Sequence, residues 1–283
     1  MRWLRRIGAR LGHETRLFNR ACKPTGAADS SQSQAAVPMA DTAAEQPTRN
    51  VDLLVLVINL DRSIERLSAM RERLGRLTLL WQRVAAIDGQ SLPADRRGDV
   101  DVAGYRRRHG KYLNPAEVGC YLSHVDCLEM FLAGKARWAL ILEDDADLPV
   151  DFEMLLQRLL NVPDDWDIVK LSGFHSGTPV RIRDLNAPYA LAIPLSRHMN
   201  SNSILFNRQA AAILVSRLLP MVLPYDHALE RAWLYGLRLR VVTPSPCPAD
   251  TGLGTTIGNR QHLKGFRLPF YQRLPAMLGC CST

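Results

Sequence analysis

The chain has 283 residues, is 47% hydrophobic and carries a formal net charge of +8. That length and apolar content suit one large domain with appendages, and no run of eighteen apolar residues marks a transmembrane helix. The charge sits at the ends: residues 1–23 hold seven Lys/Arg against one Glu, residues 260–283 hold four and no acid, and the body between is left at −2, which argues against a basic nucleic-acid-binding face on the folded core.

Residues 1–23 place Trp3, Leu4, Ile7, Leu11 and Phe18 at roughly helical spacing among arginines. Such a basic amphipathic segment suits an anionic membrane surface, and the same pattern also describes a solubilising tail or an organellar transit peptide. Residues 24–49, rich in Ala, Ser, Gln, Pro and Thr, read as a disordered linker. A domain over residues 50–259 follows, then a basic, aromatic tail over 260–283 suited to a second membrane-surface patch. The six cysteines contain no CxxC pair and read as reduced thiols of a cytosolic protein, not as a zinc framework. Together these features predict a cytoplasmic protein, peripheral on the inner face of the membrane, with no nucleic-acid partner.

Within the domain, Val51–Ile58 is a nearly continuous run of β-branched residues and Leu, as in a strand buried on both faces. Ile64, Leu67, Met70 and Leu74 then mark an amphipathic helix, and the apolar stretch Leu77–Ile87 predicts a second strand, ending at Asp88-Gly89. Strand, helix, strand, each ending in polar residues, opens an α/β sheet. Residues 90–113 are polar and basic and read as a loop or lid. Asn114-Pro115-Ala116-Glu117 predicts a helix start, with Asn as cap, Pro in the first helical position and Glu reaching back. Trp138–Leu142 predicts a buried strand and Phe152–Leu159 a helix. Beyond lie predicted strands at Trp166–Leu171, Ser203–Phe206 and Leu237–Val242, and predicted helices at Asn207–Leu219 and Asp226–Tyr235.

The most informative segment is Glu143-Asp144-Asp145-Ala146-Asp147, directly after a hydrophobic strand. Carboxylates this crowded raise one another's pKa unless a positive charge sits among them. A hard divalent cation, Mg²⁺ or Mn²⁺, satisfies them through oxygen ligands. Alternate residues at a strand end point the same way, so Glu143 with Asp145, or Asp145 with Asp147, would share one ion. That ion would clamp a diphosphate and neutralise a leaving group. The alternative is a solvated acidic loop at the start of the next helix. Asn59 and Asp88 end predicted strands, where open α/β sheets bind ligands, although Asp-Gly is also a plain turn signal. Arg62 and Arg66 on the first helix are phosphate candidates or a solvated face. His124 is a ligand or a core histidine, and Asp226 is a catalytic base or a helix cap.

Four segments in order resemble glycosyltransferase family 25, the lipooligosaccharide galactosyltransferase family with collagen galactosyltransferase relatives. They are Val57–Arg62 with Glu65-Arg66, Ala85–Gly89, Leu113–His124 and Ala139–Asp145, with Ile168–Leu171 and Pro224–Asp226 further on. The resemblance spans about residues 51–245. It implies a GT-A-like, Rossmann-type open mixed α/β sheet with helices on both faces. It also implies an inverting reaction, a UDP-sugar donor, commonly UDP-galactose, and Mn²⁺ or Mg²⁺. The acceptor would be an oligosaccharide or glycolipid of lipopolysaccharide biosynthesis. On this likeness the family's acidic motif falls on Glu143, Asp144 and Asp145; Asn59, Arg66 and Asp88 face the nucleotide, and Glu117 and His124 line the donor site from their helix. The metal is expected on Asp145 with Glu143 or Asp147, Asp144 on the nucleotide side, and Asp226, at a predicted helix start far along the chain, as the base. The chain departs from its relatives at His198–Ser203, where they often have an aromatic or Gly-Tyr step on the acceptor side.

Two other classes share parts of the pattern. Phosphohydrolases of the haloacid-dehalogenase type also place Asp-x-Asp after a hydrophobic strand, but near the domain start, whereas about ninety domain residues precede it here. A non-catalytic carbohydrate- or Ca²⁺-binding protein would keep the same acidic loop.

Overall fold

The computed structural model describes residues 52–175, 178–250, 265–269, 272, 273 and 276. The proposed membrane segment 1–23, the linker 24–49 and most of the tail 260–283 lie outside the described residues.

Among the described residues, ten strands and six α-helices follow one another. Strands β1 (Leu53–Asn59), β2 (Trp81–Ala85), β3 (Trp138–Glu143), β4 (Ile168–Lys170), β6 (Val180–Asp184), β7 (Ala190–Ile193), β9 (Ser203–Asn207) and β10 (Leu239–Thr243) form one sheet in the order β2-β1-β3-β9-β4-β10-β7-β6. Strands β5 (Phe174–His175) and β8 (His198–Met199) make a small second sheet. The helices are α1 (Ile64–Leu74), α2 (Val102–His109), α3 (Pro115–Ala133), α4 (Phe152–Leu160), α5 (Arg208–Arg217) and α6 (Tyr225–Leu229). The main sheet is mixed: β1 runs parallel to β2 and β3, β4 runs parallel to β10, and β9 lies antiparallel between β3 and β4.

Alternation along β1 and β3 explains their continuous hydrophobicity. Leu56, Ile58, Ala139 and Ile141 enter one core with α3, α5 and α6. Val55, Val57, Leu140 and Leu142 enter the other with Met70 and Leu74 of α1 and the apolar face of α4. The sheet therefore carries helices on both faces, the open Rossmann-type α/β arrangement expected from the sequence. No helix among the described residues is long and apolar enough to cross a membrane.

Several predicted elements change. The second strand is shorter than the Leu77–Ile87 run, because only Val84 is buried in this edge strand. The expected loop over 90–113 contains a 3-10 segment, Ala94–Asp99, and α2. Three consecutive arginines hide the helix from a hydrophobic pattern, yet Asp101 caps it by accepting from Gly104 N at 2.8 Å, and Gly110 ends it at φ 71°. Asn114 caps α3 as expected, accepting from Ala116 N at 3.0 Å, but Glu117 takes the Tyr105 hydroxyl as its partner instead of reaching back. The helix expected over Asp226–Tyr235 breaks into α6 and a 3-10 turn, Ala232–Tyr235. Asp226 is not its cap: Pro224 holds that position and Asp226 lies in the first turn.

Candidate active site

The parallel strands deliver their last residues to one edge of the sheet. Asn59 ends β1, Asp88 follows β2, Glu143 ends β3 and Lys170 ends β4. Because β9 runs the other way, its entry segment, Asn200–Asn202, reaches the same edge, and Glu143 N donates to Asn202 O at 2.7 Å. This is where an open α/β sheet offers ligands its loops.

Asn59 is buried and ties three elements together. Its Nδ2 donates to Asp144 Oδ2 at 2.7 Å and to Ser63 O at 3.0 Å, and its Oδ1 accepts from Arg83 Nε at 3.0 Å. Arg66, one turn into α1, reaches over the strand ends and is only 11% exposed. One guanidinium nitrogen lies 3.0 Å from Asp144 Oδ1 and the other 2.7 Å from Asp145 Oδ2. This is the positive charge that the acidic run requires. Burial still raises Asp144, and burial with the neighbouring Glu143 charge pushes Asp145 up to about 6, against the pull of Arg66. Asp145 Oδ1 and both amide atoms of Asn202 are buried without a well-formed hydrogen bond, and the Asn202 amide lies near enough to draw the Asp145 carboxyl down against its burial.

Glu143 faces away from Arg66, toward α3. Its Oε1 lies 3.1 Å from His124 Nε2 and 3.6 Å from Cys120 Sγ. Burial disfavours its charge, but His124 and the thiol outweigh that and hold its carboxyl below the ordinary range. The His124 ring is fully buried and stacks on Tyr225, with centroids 4.2 Å apart and planes 16° from parallel. A cleft opens over these groups. Its lining includes Asn59, Arg66, Asp88, His124, Glu143 and Asp144. On its other wall Asp88 Oδ1 accepts from Gln90 N at 3.1 Å, and the carboxylate also pairs with Arg62. The Gln90 N–H, then Arg62, hold Asp88 low against a partial desolvation. Asp88-Gly89 is more than a turn: a Cβ on Gly89 would meet Pro115 O at 1.7 Å, and one on Gly119 would meet Ile87 O at 2.3 Å. Two glycines thus let the start of α3 lie directly on the chain after β2.

A second cluster adjoins this one. Lys170 is fully buried and donates to His198 O. Burial brings its ammonium down to about 8, against the charges of Asp226 and Glu230. Asp226 accepts from His227 N at 2.9 Å and from Asn200 N at 3.4 Å. Asn200 has φ 89°, and its Oδ1 accepts from Ser201 N at 2.7 Å and Asn202 N at 3.1 Å. That self-made turn tolerates the left-handed backbone.

Of the residues singled out from the sequence, seven meet in the cleft: Asn59, Arg62, Arg66, Asp88, His124, Glu143 and Asp144. Asp145 adjoins them through Arg66. Glu117 sits behind the cleft, bonded to Tyr105 and raised by burial. Asp226 follows Tyr225, whose ring covers His124. Asp147 leaves the group: its side chain is 58% exposed, 3.8 Å from Arg73 Nε, and its N–H donates to Pro248 O at 3.0 Å. The strand ends at Glu143 and the chain turns, so the alternation that would align Asp147 with Asp145 is lost. Cys120 and Lys170 were not singled out. Cys120 was signalled by its four-residue spacing from His124, and Lys170 by its charge inside an apolar strand.

Residues 53–228 match the family described as "Glycosyltransferase family 25 (LPS biosynthesis protein)". Procollagen galactosyltransferase 1 of Danio rerio is 30% identical over 123 residues, which cover 41% of this chain and 20% of the relative. Inactive glycosyltransferase 25 family member 3 of Homo sapiens is 33% identical over 125 residues, 41% of this chain and 21% of the relative. The alignments thus span about a fifth of the length of these curated relatives. A solved glycosyltransferase involved in the glycosylation of the major capsid of PBCV-1 overlaps 75% of this chain and 98% of its own, at 12% identity and a TM-score of 0.37. With a family match over more than half of its length, the chain belongs to glycosyltransferase family 25.

Proposed function

We propose that the chain transfers a sugar, galactose by the names of its relatives, from a UDP-sugar to a saccharide acceptor with inversion at the anomeric carbon. The observation that carries this reading is the convergence of Asn59, Arg66, Asp88, His124, Glu143 and Asp144 on one cleft at the sheet edge. Arg62 and Arg66 line that cleft and offer cationic partners for a diphosphate.

A divalent cation, Mn²⁺ or Mg²⁺, fits one place here. Asp145 Oδ1 is a buried carboxylate oxygen without a well-formed hydrogen bond, and oxygen donors suit a hard cation. Asp145, assisted by Asp144 or Glu143, would hold the ion. When bound it would neutralise charge on the departing diphosphate. The remaining work falls to the chain. Asn59 and Arg66 fix the acidic segment against the first strand and helix. The acceptor hydroxyl attacks the anomeric carbon, the bond from that carbon to the phosphate oxygen breaks, and UDP leaves. Asp226 takes the hydroxyl proton, with Lys170 and Asn200 beside it to hold it in place.

An oligosaccharide or glycolipid of lipopolysaccharide biosynthesis is the acceptor class we propose, with the enzyme cytoplasmic and peripheral on the inner face of the membrane. The family description and the basic chain ends support this. Binding to anionic vesicles that survives deletion of residues 1–23 and 260–283 would remove the membrane part. A second reading, donor binding without turnover, is favoured by the two contacts of Arg66, which neutralise Asp144 and Asp145 without a metal.

A thermal-shift panel of UDP-, GDP- and CMP-sugars, each with and without Mn²⁺, tests the donor. Stabilisation by UDP-sugars, enhanced by Mn²⁺, together with UDP release is expected. Stabilisation without UDP release in the presence of varied acceptors selects the second reading. No response to any UDP-sugar sinks both.

A further inference from the structure

Cys120 and His124 stand four residues apart on α3 and so share one helical face. Glu143, at the end of β3, meets that face, with Oε1 3.1 Å from His124 Nε2 and 3.6 Å from Cys120 Sγ. The three donor atoms all lie within 4.8 Å of one another. Ligands around a tetrahedral ion with bonds of ~2.0–2.3 Å are about 3.3–3.8 Å apart, so small side-chain movements close the gap. All three residues line the cleft. Arg66 pairs with Asp144 and Asp145, while Glu143 Oε1 contacts His124 Nε2.

We propose that Cys120, His124 and Glu143 form a binding site for a borderline divalent cation of the zinc class, with a fourth position open to the cleft. The donor set decides the class. A sulfur, an imidazole nitrogen and one carboxylate select Zn²⁺ or Co²⁺, whereas Mg²⁺ and Mn²⁺ prefer oxygen ligands. Three protein ligands with one open position is the arrangement of catalytic zinc sites, in contrast to closed four-ligand structural ones. The cysteine spacing hides this site, because only one thiol takes part and its partners come from a turn further along α3 and from a different strand. Stacking on Tyr225 fixes the His124 plane. An ion here would present its open position to water or to an oxygen of whatever occupies the cleft. The site does not draw on the oxygen donors of Asp144 and Asp145; an ion on it would engage Glu143 and leave the Mn²⁺ or Mg²⁺ position to Asp145 with Asp144, and the site does not depend on sugar transfer.

Co²⁺ titration of the purified full-length chain tests this. One equivalent is expected to give a near-ultraviolet thiolate-to-cobalt charge-transfer band and intense visible bands of tetrahedral cobalt, bleached by Zn²⁺ and not by Mn²⁺. Cys120→Ser removes the charge-transfer band, and Glu143→Gln weakens Co²⁺ binding at least tenfold. Cys127 and Cys247 are buried in the two cores, and replacing Cys22, Cys280 and Cys281 together by serine leaves the spectrum intact. Zn²⁺ raises the melting midpoint of the wild type and not of Cys120→Ser. Cys120→Ala replaces Cys120→Ser should the latter lose the native far-ultraviolet circular dichroism. A band that persists without Cys120, a band lost with the three other cysteines, or no band in a folded wild type overturns the proposal. Sugar turnover is not a readout, so this outcome is independent of the donor panel.

Discussion

The His124 imidazole lies flat on the Tyr225 ring, 4.2 Å between centroids. One ring belongs to the helix that lines the cleft and the other to the residue before Asp226. The stack therefore fixes the spacing between the donor side and the proposed base. The Tyr225 hydroxyl is buried and has no hydrogen-bond partner. Tyr225→Phe keeps the stack and removes an unsatisfied group worth about 1–3 kcal/mol, so the melting midpoint should stay level or rise. Tyr225→Ala should cost about 3–5 kcal/mol through the cavity it leaves. Denaturant unfolding of the two variants checks both signs.

Arg66→Met removes the cation that neutralises Asp144 and Asp145. Leaving buried carboxylates uncompensated costs about 3–5 kcal/mol. The variant should melt earlier and lose donor turnover, and Mn²⁺ should restore more of its melting midpoint than it adds to the wild type. Equal metal responses in the two proteins would show that the cation binds away from Asp145.

Asp226→Asn should lower kcat by about 10²–10⁴-fold, the range for removing a general base, with little change in KM for the donor. Asp226 accepts from His227 N in the first turn of α6 and from Asn200 N, and an amide oxygen at this position keeps one of these bonds, so the melting midpoint should fall only modestly. Near-normal kcat in steady-state assays would transfer the role to another carboxylate.

Lys170 offers a pH test with a defined sign. Its folded-state pKa is lowered from 10.5 to about 8 by burial. Between those values the unfolded chain binds the proton that the native protein has released, so stability from this group rises with pH. The contribution is complete above about pH 10.5 and is lost as pH falls through 8. A shift of this size corresponds to roughly 3 kcal/mol. Chemical denaturation from pH 7 to 10.5 should show the wild type gaining on Lys170→Met across that window, and parallel curves would contradict the burial argument.

Gly89→Ala should destabilise by about 1–3 kcal/mol or more, because its Cβ would strike the Pro115 carbonyl, which is backbone and not a flexible side chain. Donor affinity should fall with it, since the shift moves α3 and the wall that carries Asp88. Isothermal titration with UDP beside thermal melts separates the two effects.

Much of the donor edge was legible because its signals are local. The unbroken run of β1, the Asn114-Pro115 helix start and the carboxylates after Trp138–Leu142 each depend on neighbours in the chain. What was not legible depends on packing across the fold. Nothing near Glu143 in sequence says that it faces Cys120 and His124, because α3 and β3 meet only through the core. Asp147 shares the acidic run but turns toward Arg73, an orientation set by the bridge between Ala146 and Ala249. Strands β6 and β7 were missed for a different reason. β6 is exposed along its whole length and alternates apolar with charged residues, and β7 is a four-residue segment.

The opposed direction of β9 divides responsibility within the molecule. Its neighbours β3 and β4 contribute chain that is leaving the sheet, while β9 contributes chain on its way in, and the two kinds of segment answer to different constraints. Residues 194–202 end against the acidic run, where Glu143 N donates to Asn202 O, so a graft of this segment from another family member has to keep Asn202. On the proposed transfer activity, such a graft is expected to change the saccharide accepted while the sugar nucleotide stays the same.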